Sequence, residues 1–154
     1  ICIEMEDYAE TITAERVKRV INGYGEEKKA VEGTGGSFDF YELGQSLFDE
    51  NGNLNESVGL PKIRNYVWYT ETKTPLKEGK QEDNAHFLGK HNDTSYYFYY
   101  ESEAITTLDH SFLASVKTKA EQYVIYADNC LLTKEFMVKH HLIFKKIPRD
   151  ITRF

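Results

Sequence analysis

The chain has 154 residues, of which 40% are hydrophobic and 29% charged, and this suits one globular domain, or one domain with the edge of another. The formal net charge of −6 excludes a protein that coats nucleic acid with its whole surface. No signal-peptide pattern and no long apolar stretch occur, so we expect a cytoplasmic protein with no membrane partner.

The first residues combine a predicted strand with a predicted helix. Residues 1–3 favour β structure and lead into Glu4, and a helix is predicted over 13–21. A strand that ends in an acid and precedes a helix is how nucleotide-binding α/β folds present a carboxylate to ribose hydroxyls. Glu4 is therefore a candidate cofactor-binding residue, with Met5 as an apolar contact for adenine. The alternative is an ordinary surface acid at a strand end.

In nucleotide-binding folds a glycine-rich cofactor loop precedes such a strand and helix, and this sequence contains none. We therefore expect the chain to be the carboxy-terminal piece of a larger enzyme. Thr13 is the predicted N-cap of the helix and Gly23 its end. Residues 24–36 are rich in charge and glycine and are predicted to be a linker. Residues 37–43 alternate in polarity and predict a strand.

The middle of the chain contains a predicted turn over 49–53 and a helix from Pro61 to about Thr70. The residues of this helix expected to face inward are Ile63, Tyr66, Val67 and Trp68. Residues 71–84 are polar and predicted to form a mobile loop.

The carboxy-terminal half shows a regular alternation of strands and helices. The predicted elements are a hairpin of 86–91 and 94–101 joined by Asn92-Asp93, a helix over 109–117, a strand over 123–127, a helix capped by Thr133 and ending at His140, and a strand over 142–147. Short links between strand, helix and strand predict βαβ units with parallel pairing. We therefore expect an α/β fold with a small mixed sheet and flanking helices.

Several patterns in this half have both a functional and a structural interpretation. The aromatic run 96–100 fits either a stacking platform for bases or, as we expect, a strand buried on one face. Asp128 and Asn129 follow a buried strand, where open α/β sheets bind ligands, although Asp-Asn is commoner in turns. His140 and His141 end a helix without a carboxylate cluster, so cationic histidines near a helix end explain them better than a metal site.

Two cysteines, Cys2 and Cys130, form neither a metal spacing nor a disulfide framework. Each lies in an apolar, strand-like run, where we expect a buried free thiol.

The last sixteen residues are basic in contrast to the rest of the chain. They carry a charge of +4, which leaves −10 for the remainder. The candidate residues for a contact with DNA phosphates or an acidic partner are Lys145, Lys146, Arg149 and Arg153. A solvated basic tail is the alternative.

Seven segments carry a resemblance to a known family. They are ICIEMEDY (1–8), TAERVKRVI (13–21), GGSFDFYELG (35–44), YVWYTET (66–72), FLGKHN (87–92), KTKAEQYVIYADN (117–129) and FKKIPRDI (144–151). Together they resemble the region after the cofactor loop in the modification subunits of type III restriction–modification systems. Those subunits are S-adenosylmethionine-dependent, adenine-specific DNA methyltransferases.

The resemblance implies a division of the chain. Residues 1–23 would be the last strand–helix edge of a Rossmann-like methyltransferase core, 24–36 a linker and 37–154 a carboxy-terminal α/β assembly domain. The family's acid after the second cofactor-domain strand matches Glu4 and, more loosely, its neighbour Met5. The family's FxGxG cofactor loop and catalytic DPPY-type loop do not occur in this sequence. The chain alone is therefore expected to be inactive and to bind S-adenosylmethionine weakly.

The parent protein implied by the resemblance methylates the exocyclic amine of adenine in DNA, with the target base out of the duplex stack. Its partners would be DNA, a second modification subunit and a restriction subunit. Dimerisation, docking of the restriction subunit and DNA contact all remain open for 37–154. An alternative from a different class is an independent, non-catalytic protein-interaction module, because no catalytic constellation is present. A small nuclease-like enzyme has only Asp128, Lys145 and Lys146 to support it.

Overall fold

The computed structural model describes residues 1–76 and 83–152. The chain folds into two compact units, Ile1–Gly44 and Gln45–Phe154. Both contain short helices and short strands, which confirms the predicted α/β class. Within the described residues, no helix has the length and apolar character needed to cross a membrane.

The longest helical segment of the first unit precedes a single 3-10 turn at Glu27–Lys29. It begins as a π-helix, Ala9–Ala14, and continues as α1, Glu15–Asn22. The end at Gly23 is as predicted, and its φ of 88° is a conformation that glycine adopts without strain. The prediction of Thr13 as the N-cap is wrong. The helical segment begins earlier, and the N–H of Thr13 already donates to the Tyr8 carbonyl.

Residues 1–5 form no strand, contrary to the prediction, and neither do residues 37–43. A strand needs a hydrogen-bonding neighbour. The one ladder of this fully described unit joins β1, Gly23–Tyr24, to β2, Val31–Glu32. Cys2 is consequently exposed rather than buried. Of the predicted strand–helix edge, the unit contains the helix alone.

The β1–β2 ribbon returns onto the end of α1 at Gly33. A Cβ atom at Gly33 would lie 2.2 Å from the Ile21 carbonyl oxygen, so this approach requires glycine. The N–H groups of Thr34 and Gly35 donate to the carbonyls of Val20 and Ile21 over 3.0 Å. These bonds satisfy carbonyls that the helix end would otherwise leave unpaired.

The second unit begins with the predicted turn and helix. Phe48 and Leu54 form an antiparallel bridge around the turn at 49–53. Helix α2, Leu60–Thr72, has Pro61 in its first turn, where a missing N–H costs nothing. The residues predicted to face inward lie on the core side: Ile63, Val67 and Trp68 are buried, and Tyr66 packs against the same cluster.

A four-stranded mixed sheet forms the centre of this unit. Its strands are β3, Phe87–His91; β4, Thr94–Phe98; β6, Gln122–Ala127; and β8, Leu142–Lys146. The order is β3-β4-β6-β8. The β3–β4 pair is the predicted hairpin, with Asn92 in the left-handed conformation at φ 52°. The β4–β6 and β6–β8 pairs are parallel, as the βαβ pattern predicts.

Four shorter elements lie between the strands. They are β5, Thr107–Leu108; α3, His110–Ser115; β7, Asn129–Cys130; and α4, Lys134–Lys139. Strands β5 and β7 pair in parallel. The side chain of Asp109 caps α3 by accepting from the Phe112 N–H (2.8 Å), and Thr133 caps α4 by accepting from the Phe136 N–H (3.2 Å). Both helices lie where they are predicted.

Both faces of the sheet are covered. Helix α2 packs on the face that includes Tyr96 and Phe98, and helices α3 and α4 pack on the face that includes Tyr97. The aromatic run is therefore buried on both faces over Tyr96–Phe98, with Tyr99 and Tyr100 half-buried beyond the strand, and the prediction of burial on one face is wrong. The reason is that β4 lies inside the sheet, between β3 and β6, with helices above and below.

Candidate functional site

Glu4 and Met5, the predicted cofactor contacts, lie at the surface of the first unit. The Glu4 carboxylate accepts hydrogen bonds from the N–H groups of Met5 (2.9 Å) and Glu6 (3.3 Å). The Met5 side chain is 94% exposed. The first unit thus presents a carboxylate and a neighbouring thioether that are both accessible to a ligand.

The predicted basic contact residues occupy different environments. The Lys145 side chain is only 28% exposed and forms an ion pair inside the second unit. Lys146 is exposed at the end of β8. Arg149 is 74% exposed and its Nε lies 2.8 Å from a carboxylate oxygen of Asp150. Arg153 lies outside the described residues. Lys146 and Arg149 are therefore the accessible cations of this set within the described part.

Three side chains form a partly buried polar group, the Glu71 cluster, made of Glu71, Tyr126 and Lys145. Glu71 lies in the last turn of α2, while Tyr126 and Lys145 are register partners near the carboxyl ends of β6 and β8. One Glu71 oxygen, Oε1, accepts from the Tyr126 hydroxyl (2.5 Å) and from Lys145 Nζ. Lys145 Nζ also lies 5.5 Å from the centre of the Tyr126 ring.

The electrostatics of the Glu71 cluster favour a neutral tyrosine. Burial raises the pKa of Tyr126, and its hydrogen bond to Glu71 and the negative charges of Glu71 and Asp150 act in the same direction. A phenol that stays protonated is a hydrogen-bond donor and not a general base. Since Lys145 balances the charge of Glu71, the cluster joins α2 to β6 and β8 as a neutral unit.

Other polar side chains at the carboxyl end of the parallel strands bind neighbouring groups of the protein. The Tyr100 hydroxyl donates to the Glu56 carboxylate, and burial together with this bond raises the pKa of Tyr100. Asp128 Oδ2 accepts from the backbone N–H (2.8 Å) and hydroxyl (2.9 Å) of Thr106. Asp128, weighed above as a ligand position, thus holds the segment before β5.

Asp83 is the most strongly hydrogen-bonded carboxylate of the second unit's described part. It accepts from the Tyr97 hydroxyl (2.7 Å), the Thr118 N–H (2.6 Å) and the Lys117 N–H (3.0 Å). Partial burial acts to raise the pKa of Asp83, but the hydrogen bonds from Thr118, Tyr97 and Lys117 outweigh it and hold that pKa well below its usual range. Asp83 therefore fixes the loop before β6 to the underside of β4.

The remaining polar candidates show packing roles. No group of three or more His, Cys, Asp or Glu residues suited to a metal ion occurs in the described ranges. The His140 ring packs on Phe136 at 4.3 Å between ring centres. Cys130 is half-buried, with its sulfur 3.9 Å from that of Met137. Cys130 packs against Met137 of α4, whereas His140 is exposed.

Glu71 was not among the predicted site residues, because it falls in the segment 71–84 that was predicted to be a loop. Residues 77–82 of that segment lie outside the described residues. A signal for Glu71 does exist in the sequence. Ile63, Val67 and Glu71 are spaced by four, so the carboxylate continues the buried stripe of α2. A carboxylate on a buried stripe requires a partner.

Comparison of the chain with protein-family models, curated proteins and solved structures found no match.

Proposed function

We propose that this chain is the carboxy-terminal part of a type III restriction–modification modification subunit, an adenine-specific DNA methyltransferase. In this proposal the methyl transfer takes place in parts of the subunit outside this chain. The unit Gln45–Phe154 serves in subunit assembly or DNA contact. The support comes from the resemblance of the seven sequence segments and from the positions that these segments occupy in the fold.

The observation that carries the proposal is the composition of the Glu71 cluster. Its three members come from three different resembling segments, YVWYTET, KTKAEQYVIYADN and FKKIPRDI. Apolar residues from distant segments meet in any core, but a shared carboxylate with a lysine and a tyrosine is a specific arrangement. The convergence of Glu71, Tyr126 and Lys145 is expected if the likeness reflects one shared domain.

A fourth resembling segment, FLGKHN, packs against the segment YVWYTET. Gly89 in β3 lies against the Trp68 indole of α2, and a Cβ atom at Gly89 would come within 2.9 Å of the ring. The contact depends on glycine in one segment and tryptophan in the other. It supports the same interpretation, that these segments belong to a single domain with a common packing pattern.

S-adenosylmethionine, the cofactor of this proposal, supplies an electrophilic methyl group. Glu4 would accept hydrogen bonds from its ribose hydroxyls, and Met5 would contact its adenine. Both side chains are accessible in the first unit, but residues 1–5 do not form the strand from which a Rossmann-like core presents this acid, so these two roles are supported by the resemblance alone. A charged hydrogen bond contributes only about 1.5–3 kcal/mol, and this chain alone is therefore expected to bind the cofactor weakly.

The proposal is tested with the product of the complete reading frame that contains this chain. We expect that protein to transfer labelled methyl groups from S-adenosylmethionine to adenine in DNA, and the present chain to transfer none. A complete product that lacks the FxGxG and DPPY-type loops, or that leaves DNA unmethylated, contradicts the proposal. Methyl transfer by the present chain would contradict the assignment of chemistry to the other parts.

A second candidate function is an independent protein-interaction module. The observation that favours it is that Gln45–Phe154 forms a compact unit with core clusters on both faces of its sheet. We expect the isolated unit, if it has this function, to unfold cooperatively and to bind a protein partner without the first unit. Calorimetric unfolding and co-purification with separately expressed modification and restriction subunits distinguish the two candidates.

A further inference from the structure

The four-stranded sheet of the second unit has two edge strands, β3 and β8. An edge strand offers outward N–H and C=O groups to which a strand of another molecule can pair. Strand β3 is antiparallel to β4, so its beginning lies at the same end of the sheet as the end of β8. At this shared end, Arg64 binds backbone groups at the edge of β3, and Asp150 binds backbone groups at the edge of β8.

Arg64 of α2 covers the beginning of β3. The Phe98 N–H donates to the His86 carbonyl over 2.8 Å, which places the His86 carbonyl on the side of β4. Carbonyls alternate in direction along a strand, so that of Phe87, the first residue of β3, points outward. Ala85 lies in the turn just before the strand. Arg64 donates to both carbonyls, from Nη1 to Ala85 (3.2 Å) and from Nη2 to Phe87 (2.5 Å).

The Arg64 guanidinium has no carboxylate partner within ion-pair distance among residues 1–76 and 83–152. It is half-buried against the strand edge. A half-buried cation is costly unless its donors are satisfied. The carbonyls of Ala85 and Phe87 provide that satisfaction, and the planar fork of arginine matches two acceptors at once.

Asp150 covers the end of β8. The Ile147 N–H donates to the Ala127 carbonyl (3.0 Å), so the backbone N–H of Ile147 points toward β6. The backbone N–H and C=O of the preceding residue, Lys146, therefore point outward. The Asp150 N–H donates to the Lys146 carbonyl, and the Lys146 N–H donates to Asp150 Oδ2, each over 2.8 Å. These two hydrogen bonds resemble the pair that two opposite residues exchange in an antiparallel sheet.

We propose that Arg64 and Asp150 occupy backbone groups at the two edges of the sheet and thereby keep copies of this chain from pairing through β3 and β8. With Asp150 in place, the outward-facing residues left on β8 are Leu142 and Phe144, which is too short a stretch for stable pairing. Without it, Lys146 becomes a third outward-facing residue and lengthens that stretch from two such residues to three. This inference is independent of the methyltransferase proposal and concerns association of the folded chain.

The test uses the full chain with Arg64→Met, Asp150→Ala and both substitutions together. Matched controls are Lys62→Met and Glu103→Ala, which change the net charge equally at exposed positions. Sedimentation velocity over a range of concentrations measures self-association. We expect the association constant of the double variant to rise about tenfold or more, which corresponds to roughly 1.4 kcal/mol, with both controls at the wild-type value.

Amide hydrogen exchange locates the new contact. The amides of β3 and β8 should gain protection in the associated variants. Circular dichroism verifies the fold. If Arg64→Met loses its folded spectrum, the Arg64→Lys variant is used in its place, because a single ammonium group cannot donate to both carbonyls with the geometry of the guanidinium. Folded variants that associate no more than wild type overturn the proposal, as does association without protection at β3 or β8.

Discussion

Lys145 on the last strand and Glu71 at the end of α2 form an ion pair across 74 positions of sequence. The Glu71 side chain is 12% exposed and that of Lys145 28%, so the pair is partly withdrawn from water. The Tyr126 hydroxyl binds the same carboxylate oxygen. Because the last sixteen residues are basic, the sequence predicts that Lys145 contacts partners. In the structure it is instead part of the interior of the second unit.

Replacement of Lys145 by alanine is expected to lower the free energy of unfolding by about 1–3 kcal/mol, because the Glu71 carboxylate would keep its burial and lose its counter-charge. Lys146→Ala is the matched control, since it removes the same charge from the next, exposed position. Urea unfolding measures both variants. Equal effects of the two substitutions would show that the ion pair contributes nothing specific.

Asp83 is expected to make stability depend on acid pH. Its pKa in the folded chain is below the unfolded value of 3.8, so its contribution is complete above that value. The contribution is lost as the pH falls from 3.8 toward the folded-state pKa. Asp83→Asn should lower stability by about 1–2 kcal/mol at neutral pH. It should also flatten the acid limb of the stability curve.

Chemical unfolding at a series of pH values checks this expectation, with the exposed Glu103→Gln variant as the control. An Asp83→Asn curve that runs parallel to wild type at acid pH would mean that the carboxylate does not control this limb.

Three tyrosines whose hydroxyls bind carboxylates are expected to resist ionisation most strongly in alkaline solution. They are Tyr97, Tyr100 and Tyr126, and for each of them burial raises the pKa, reinforced by a hydrogen bond to Asp83, Glu56 or Glu71 respectively. Because the folded pKa is raised, their contribution to stability is complete below the unfolded pKa of about 10 and declines as the pH rises through the folded values.

Phenolate absorbance during an alkaline titration measures this resistance. Of the 11 tyrosines, we expect these three to ionise last, together with the loss of the folded circular dichroism signal. Burial also raises the pKa of Tyr96, so Tyr96 should ionise after the exposed tyrosines. Tyr126→Phe should remove one late phenolate, whereas Tyr69→Phe, at a 50% exposed position, should remove an early one. A single early phase for all tyrosines in a chain that stays folded would contradict the assignment.

The elements of the second unit were predictable because their local signals agree with their packing. Asn92 marks the hairpin turn, and Thr133 marks the start of α4. In the first unit, the alternation over 37–43 had no neighbouring strand to pair with, so the local pattern did not become a strand. The partner of Lys145 lies on a distant helix, and composition near the chain end carries no information about it.

Gly89→Ala is expected to destabilise the chain by about 1–3 kcal/mol through overpacking, since the new Cβ would lie within 2.9 Å of the Trp68 ring. Gly44→Ala is the control, because nothing lies within 4 Å of a Cβ at that position. Thermal unfolding followed by tryptophan fluorescence suits the measurement, since Trp68 is the single tryptophan of the chain. If both substitutions shift the midpoint equally, the close approach of β3 to α2 has no energetic consequence.

The basic end should be tested without Lys145, because a variant that lacks this lysine also loses the Glu71 ion pair. Joint replacement of Lys146, Arg149 and Arg153 by alanine is expected to leave the unfolding midpoint unchanged, since Lys146 and Arg149 are exposed. If these cations contact DNA phosphates in the intact protein, the slope of log affinity against log salt should fall by roughly 0.9 per lost contact. If they bind a partner subunit instead, complex formation should weaken while that slope stays constant. A triple variant that retains its stability, salt slope and partner would identify these side chains as solvated surface, and would remove them from the functional site.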